Sequence, residues 1–201
     1  MQAAFDRLNR AEANYAKMND LVNDIMQQDS SSIMALSFTE EYPMMMAAFQ
    51  TDRGYIYQLL LQKKYAPQWA TSAPLSKSSM AEMLSAYRKF GEYADEGLAH
   101  LKTMKPTETS QEITHKLWLL KGNMYAFLGD IQARYLVTEL NKITKESEFK
   151  PRQKSFLNAC DDILKCYNTA LVWMENSTNA SAYLKESTES VKAMRQRIAG
   201  Y

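Results

Sequence analysis

The sequence is poor in residues that break or cross-link regular structure: 6 Gly, 5 Pro and 2 Cys in 201 residues. So few turn-formers exclude a turn-rich β-sandwich of this length. Two cysteines cannot frame a disulfide scaffold, and two histidines leave little for a His-rich metal site. Charge of neither sign dominates. The 24 Lys and Arg face 23 Asp and Glu, a formal net charge of +1, which lacks the basic excess of a nucleic-acid or membrane-surface binder. No stretch reaches the roughly 18 apolar residues that a membrane helix needs. The opening residues, Met1 to Arg7, lack the basic and apolar regions of a signal peptide. No run of alternating β-branched residues argues for a strand. Cys160 and Cys166 on one helix would stand about 600° and about 9 Å apart. They therefore read as free thiols in a reducing, cytoplasmic setting.

What is present is helical periodicity. Hydrophobic residues make up 46% of the chain, and they recur at spacings of three and four. Phe5, Leu8, Ala11, Tyr15, Met18, Val22 and Ile25 form a first stripe, interrupted at 27–32. A second helix is expected to open within Ser37–Pro43, with Thr39 as cap, and to carry Met45, Ala48, Tyr55, Ile56, Leu59 and Leu60 to about Lys64. Residues 65–79, holding Pro67, Pro74 and several Ser and Thr, read as a mobile loop. Ser79 to Glu82 and Thr109 to Glu112 read as capping boxes. They open stripes through Leu84, Tyr87, Ala94, Leu98 and Leu101, and through Ile113, Leu117, Leu120, Met124, Phe127, Leu128 and Ile131. Gly129-Asp130 reads as a turn or a weak point in that helix. Phe156, Ala159, Ile163, Tyr167 and Ala170 mark a further helix, and Leu184, Val191, Met194 and Ile198 the last. The expectation is one all-α domain over residues 1–201, an antiparallel helical-hairpin bundle of six or seven helices.

Nothing in the sequence carries a catalytic motif: no nucleotide-binding glycine loop, no nucleophile elbow and no His-Glu-x-x-His. Asp161-Asp162 and Glu40-Glu41 are adjacent pairs that diverge by about 100° on a helix, so they form no acid/base dyad. His100 and His115 flank a helix break without an evident partner. The reading is therefore no enzyme, no catalytic or metal-binding residue and no cofactor. Lys142–Lys154 and the basic residues Lys185, Lys192, Arg195 and Arg197 read as polar outer faces. Asn176-Ser-Thr178 and Asn179-Ala-Ser181 fit the N-glycosylation acceptor pattern, the single sign against a cytosolic location. Aromatic and methionine residues suit a protein-binding surface, because they join large apolar area to adaptability or a polar tip. Met44 and Met45, Tyr55 and Tyr57, and Trp69 in the 65–79 segment are the candidates, with Trp69 anchoring that segment or contacting a partner.

Several blocks resemble 14-3-3 proteins. Arg10-Ala-Glu-Ala-Asn-Tyr15-Ala-Lys-Met18 resembles the family's Ala-Glu, Tyr, Met pattern. Leu36-Ser-Phe-Thr-Glu-Glu41, Met46-Ala-Ala-Phe49-Gln and Leu61-Gln-Lys-Lys64 resemble its third helix. Leu119-Leu-Lys121-Gly122-Asn-Met-Tyr125-Ala-Phe127-Leu128 resembles its fifth. The blocks lie in the family's order within residues 10–130, and the last 70 residues match only as generic helices. Trp118, Gly122 and Tyr125 also resemble the first helix of a tetratricopeptide repeat. The resemblance implies stacked helical hairpins and a groove for a partner segment. Arg53, Lys121 and Tyr125 carry over as groove residues. The family's arginine-tyrosine pair falls on Ala126-Phe127, so the phosphate-holding cluster is not retained and ordinary phosphopeptide binding is not implied.

The functional expectation is a non-catalytic module that binds a protein or peptide in an inter-helix groove, as a monomer or homodimer. The groove residues expected are Met44, Met45, Arg53, Tyr55, Tyr57, Trp69, Lys121 and Tyr125. No nucleic acid or membrane is expected as partner. The alternative is a structural helical-bundle subunit of a larger assembly.

Overall fold

The computed structural model describes residues 2–71, 73–175 and 178–201; the acceptor Asn176 lies outside the described residues, and the side chain of Asn179 likewise. The described chain is an all-α helical bundle. Its elements in order are α1 (Gln2–Gln28), α2 (Ile33–Ala70), α3 (Lys77–Leu101), α4 (Glu108–Asn141), the single turn α5 (Glu146–Phe149) with a 3-10 turn Lys150–Arg152, α6 (Gln153–Trp173) and α7 (Thr178–Ala199). No strand occurs among the described residues. None of their helices is long and apolar enough to cross a membrane.

Helix boundaries correct the sequence reading in three places. First, α2 begins at Ile33 rather than within Ser37–Pro43, so Pro43 lies inside the helix, and the Thr39 hydroxyl donates to the Ala35 carbonyl instead of capping. Second, the segment expected as a loop over 65–79 is helical through Ala70 and again from Lys77. Pro67 costs one backbone bond, but the packing of this turn outweighs it. Tyr65 is buried with its ring 6.1 Å from Tyr87, and the Arg134 guanidinium stands over Trp69 at 5.7 Å. Arg134 also donates to the carbonyls of Thr71 (2.5 Å) and Ala73 (3.1 Å), and the Leu75 N–H donates to the Thr138 hydroxyl at 3.2 Å, which ties the short connection down. Third, the caps sit two or three residues earlier than expected. The Ser76 hydroxyl accepts from the Ser79 N–H at 3.0 Å. Thr107 and Ser110 cap α4 reciprocally, each hydroxyl accepting from the other's N–H at 3.1 and 2.8 Å. Serine thus fills the role that a capping box gives to glutamate. Gly129-Asp130 interrupts nothing, since α4 runs on to Asn141.

The sequence reads as one domain, but the chain divides into two compact units. One is Met1–Lys63 with Phe90–Leu120, the other Lys64–Lys89 with Lys121–Tyr201. Helices α2, α3 and α4 each contribute a segment to both, which is why no linker or composition shift marks the division.

In the first unit α1 lies antiparallel to α2. Phe5 meets Tyr57 with ring centroids 6.3 Å apart, and Tyr15 stacks on Tyr42 at 5.7 Å and 1°. Tyr57 meets Tyr93 of α3 edge-on at 5.8 Å. The buried side chains of this unit include Met46, Ala47, Leu61, Phe90, Ala94, Leu117 and Leu120. Gly97 lets Leu117 of α4 approach: a Cβ there would stand 2.7 Å from Leu117 Cδ2.

In the second unit α6 buries Phe156, Cys160, Ile163, Tyr167 and Ala170, a spacing of four and three that makes one continuous stripe. It pairs with α7 antiparallel: Asp161 meets Arg195 at 2.7 Å, and the Gln153 side chain donates to the Ile198 carbonyl at 2.7 Å. Leu184, Thr188, Val191 and Ile198 face it from α7. α6 also lies antiparallel to α4, from Arg152 against Glu139 (2.6 Å) to Met174 against Gly122. Cys160 is buried, Cys166 is partly buried, and both are free thiols.

Candidate protein-interaction surface

The residues expected to line a groove fall in both units. Met44, Met45, Arg53, Tyr55 and Tyr57 belong to the first, and Trp69, Lys121 and Tyr125 to the second. Most are engaged in packing within their own unit. Met44 and Met45 are half-buried, and Met46 beside them is buried. Tyr57 sits between Phe5 and Tyr93. Tyr55 is partly buried, and burial raises its phenol above the ordinary value while Lys116 pulls the other way.

Arg53 is committed to a polar knot rather than open to a ligand. Its guanidinium forms an ion pair with Glu12 and donates to Gln50 Oε1 at 3.0 Å, and Gln50 Nε2 donates to Glu12 at 3.0 Å. The ring of Tyr93 lies 5.6 Å from the guanidinium carbon. The Arg53 and Glu12 side chains are only 11% and 17% exposed. A buried charge needs such pairing, and removing one partner strands the other.

In the second unit the Lys121 ammonium stands 5.2 Å from the Trp173 ring, and Tyr125 is half-buried. A cluster of perturbed groups there centres on Asp130. The hydroxyls of Tyr167 and Tyr183 both donate to its Oδ1 at 2.8 Å. Burial raises the carboxyl above its ordinary value, and the two phenols act against that rise. Burial and the carboxylate together raise both phenols, Tyr183 to about 12. The knot joins α4, α6 and α7. A hollow of about 340 Å³ lies in the same unit, bordered by Lys77, Gln132, Tyr135, Glu139 and Arg152. Its Glu139 and Arg152 are already paired with each other. Among the described residues, no group of three His, Cys, Asp or Glu could hold a metal ion.

The surface that stands open was not singled out from the sequence. It lies at the α1–α2 end of the first unit. Met18 (48% exposed), Leu21 (63%) and Ile25 (47%) of α1, with Ile33 (83%), Met34 (85%) and Leu36 of α2, make up half of the large apolar side chains exposed among the described residues. Only residues 29–32 connect the two helices. There Asp29 accepts from the N–H and hydroxyl of Ser31, holding the turn.

The cause is a one-residue displacement of the inward face of α1. The partly buried side chains of α1 are Phe5, Leu8, Glu12, Tyr15, Ala16, Asn19, Val22 and Met26, and Phe5, Glu12 and Tyr15 among them meet α2. Glu12 and Asn19 hold positions that the sequence reading gave to Ala11 and Met18, because an apolar neighbour is the default choice for a packed face. Glu12 turns inward to meet Arg53, and the register follows. Met18, Leu21 and Ile25 then form a second stripe, about 100° around the helix from the first. From residue 18 onward α1 holds two apolar sets, Met18, Leu21 and Ile25 and, one position on, Val22 and Met26, and that surplus is the sequence signal that would have found it.

No family model, no curated protein and no solved structure matches this chain.

Proposed function

We propose that this protein is a non-catalytic interaction module that recognises a segment of another protein. The observation carrying this reading is the exposed apolar end of the α1–α2 hairpin: Ile33 and Met34 are 83% and 85% exposed, with Met18, Leu21 and Ile25 on the facing helix. Six large exposed apolar side chains thus fall within residues 18–36, and apolar surface concentrated in one region is characteristic of recognition sites, whereas scattered apolar residues are not. Methionine adapts its shape to a partner at small cost. Of the groove residues implied by the resemblance, Arg53 is paired with Glu12 and Lys121 stands over Trp173, which makes the open hairpin end the stronger candidate. The reading therefore moves from an inter-helix groove to the outer face of the first hairpin, and the resemblance is retained only as a proposal about ancestry. We place the protein in a reducing cytoplasm, which its two free thiols support.

The test is selection of binders from a random peptide display library on the purified protein. Recovered peptides should compete with one another, and Ile33→Ser with Met34→Ser should abolish their binding without changing the far-UV circular dichroism. Peptides indifferent to that double substitution would refute this surface. Sedimentation of the chain alone as a large closed oligomer would favour the assembly-subunit reading.

A further inference from the structure

We infer that the occupant of the α1–α2 hairpin end is an amphipathic helix whose apolar stripe is flanked by lysine or arginine. This rests on the reading above and adds the chemistry of the partner. From Lys17 to Glu41 the chain holds five carboxylates, Asp20, Asp24, Asp29, Glu40 and Glu41, against one lysine, although the whole molecule is near neutral. All five are exposed.

Their positions follow the apolar side chains. Glu41 stands seven residues after Met34 and Glu40 seven after Ile33, so each continues its stripe about 10 Å further along α2. Asp20 and Asp24 lie four apart on α1, on the flank next to Leu21. Asp24, Asp20 and Glu41 have no ion-pair partner among the described residues, while Glu40 borders a hollow that also carries Lys105. The negative field reaches the buried side of the hairpin as well. Burial raises the Tyr15 and Tyr42 phenols most, and Glu41 adds to the first, Asp20 and Glu12 to the second.

Charge decides among occupants. A second copy docked isologously would set these carboxylates against themselves, and like charges opposed across an interface are unfavourable. An anionic lipid surface would be repelled for the same reason. A helix with apolar residues at i, i+3, i+4 and i+7 and basic flanks satisfies both the exposed side chains and the unpaired carboxylates.

The experiment uses two labelled synthetic helical peptides with identical leucine stripes, one flanked by lysine and one by glutamate, titrated with the full chain by fluorescence anisotropy. The lysine peptide should bind at least about tenfold tighter at low salt, with the gap closing as the ionic strength is raised toward about 1 M. Asp20→Asn with Asp24→Asn and Glu41→Gln should narrow the gap while weak binding persists. Ile33→Ser with Met34→Ser should remove lysine-peptide binding, with thermal unfolding unchanged. Equal binding of the two peptides would overturn the charge inference and leave the docking surface standing. No binding of either would overturn both. A dimer of the chain alone that Ile33→Ser with Met34→Ser dissolves, or uptake by phosphatidylserine vesicles, would overturn the assigned occupant.

Discussion

Helices α1 and α6 carry the same kind of apolar repeat and use it differently. On α6 the stripe Phe156, Cys160, Ile163, Tyr167, Ala170 is buried along its whole length. On α1 no described side chain is fully buried; the helix is held by half-buried aromatic contacts and the Glu12–Arg53 pair. α6 is packed by both α4 and α7, whereas the α1 contacts above are to α2, with Phe5 also reaching Tyr93. An apolar stripe reports that a helix has one face to hide. It does not report how many neighbours hide it. Surplus apolar residues stay hidden where neighbours surround the helix and become surface where they do not.

The largest expected effects sharpen this contrast. Ile163→Ala should cost about 2–5 kcal/mol, because the cavity it leaves is walled by well-packed helices. Leu21→Ala, an equally drastic truncation of a residue 63% exposed, should change stability by less than about 0.5 kcal/mol. Denaturant unfolding of both variants measures the difference. If the two costs were similar, α1 would be as embedded as α6 and the exposed surface would be lost as a docking site.

The glycines give the next step down. A Cβ on Gly129 would stand 2.5 Å from the Tyr167 ring, which burial and its bond to Asp130 hold in place. Gly129→Ala gains about 1 kcal/mol of helix propensity but must displace that ring, and overpacking of about 1–3 kcal/mol should leave a net loss. At Gly54 the nearest atom is the Leu120 Cδ1 methyl at 2.7 Å, the end of a flexible side chain. Gly54→Ala should therefore be closer to neutral. Thermal melts of the two variants should separate in that order, and a reversal would mean that the α4–α6 contact yields more easily than the α2–α4 one.

Asp130 supplies a pH test of the better-packed region. Burial raises its carboxyl in the folded state, so the folded chain binds this proton more tightly than the unfolded chain does. The stability from this group is full below the ordinary carboxylate value near 3.8 and is lost as pH rises through the raised folded value. Glu82, Glu112 and Glu139 are lowered by their lysine and arginine partners and act in the opposite sense. The difference between wild type and Asp130→Asn therefore isolates Asp130. Relative to wild type, Asp130→Asn should gain as pH rises from about 4 toward neutrality, since an amide oxygen still accepts both phenols and carries no charge to bury. Asp130→Ala should lose about 1–3 kcal/mol at any pH in that range, because the buried Tyr167 hydroxyl is left without its acceptor.

Much of α4, α6 and α7 was legible in the sequence. Ile113, Leu117, Leu120, Met124, Leu128 and Ile131 are buried as the stripe on α4 required, with Phe127 half-buried, and Ile163, Tyr167, Leu184 and Val191 are buried too. The misreadings share one physical origin, a residue in a role usually held by another type. Ser110 fills the third-position role of glutamate in the α4 cap, and Ser76 caps α3 in place of Ser79. Glu12 and Asn19 fill the inward positions of α1, and Pro67 is carried inside a helix by the packing of Tyr65 and Trp69. Periodicity shows none of these: the caps depend on hydroxyls three residues apart, and Glu12 and the turn around Trp69 on partners distant in the chain, Arg53 and Arg134. The boundary between the two compact units crosses three continuous helices, so no linker marks it in the sequence.

The smallest expected effect on stability is the one on which the functional reading turns. Ile33 and Met34 open α2 with more than four-fifths of their surface in water, so folding hides little of their apolar area. By the usual value of about 25 cal/mol per Å² removed from water, they can contribute little to stability. Serine at both positions should leave the unfolding midpoint within about 1 °C, an effect of only a few tenths of a kcal/mol, and it should remove a surface that folding does not need. A drop of several degrees would show that the pair is packed in solution and that its exposure is not available to a partner. An unchanged midpoint combined with lost peptide binding would separate the two uses of apolar surface in this chain, the one buried along α6 for stability and the one left open on α1 and α2 for recognition.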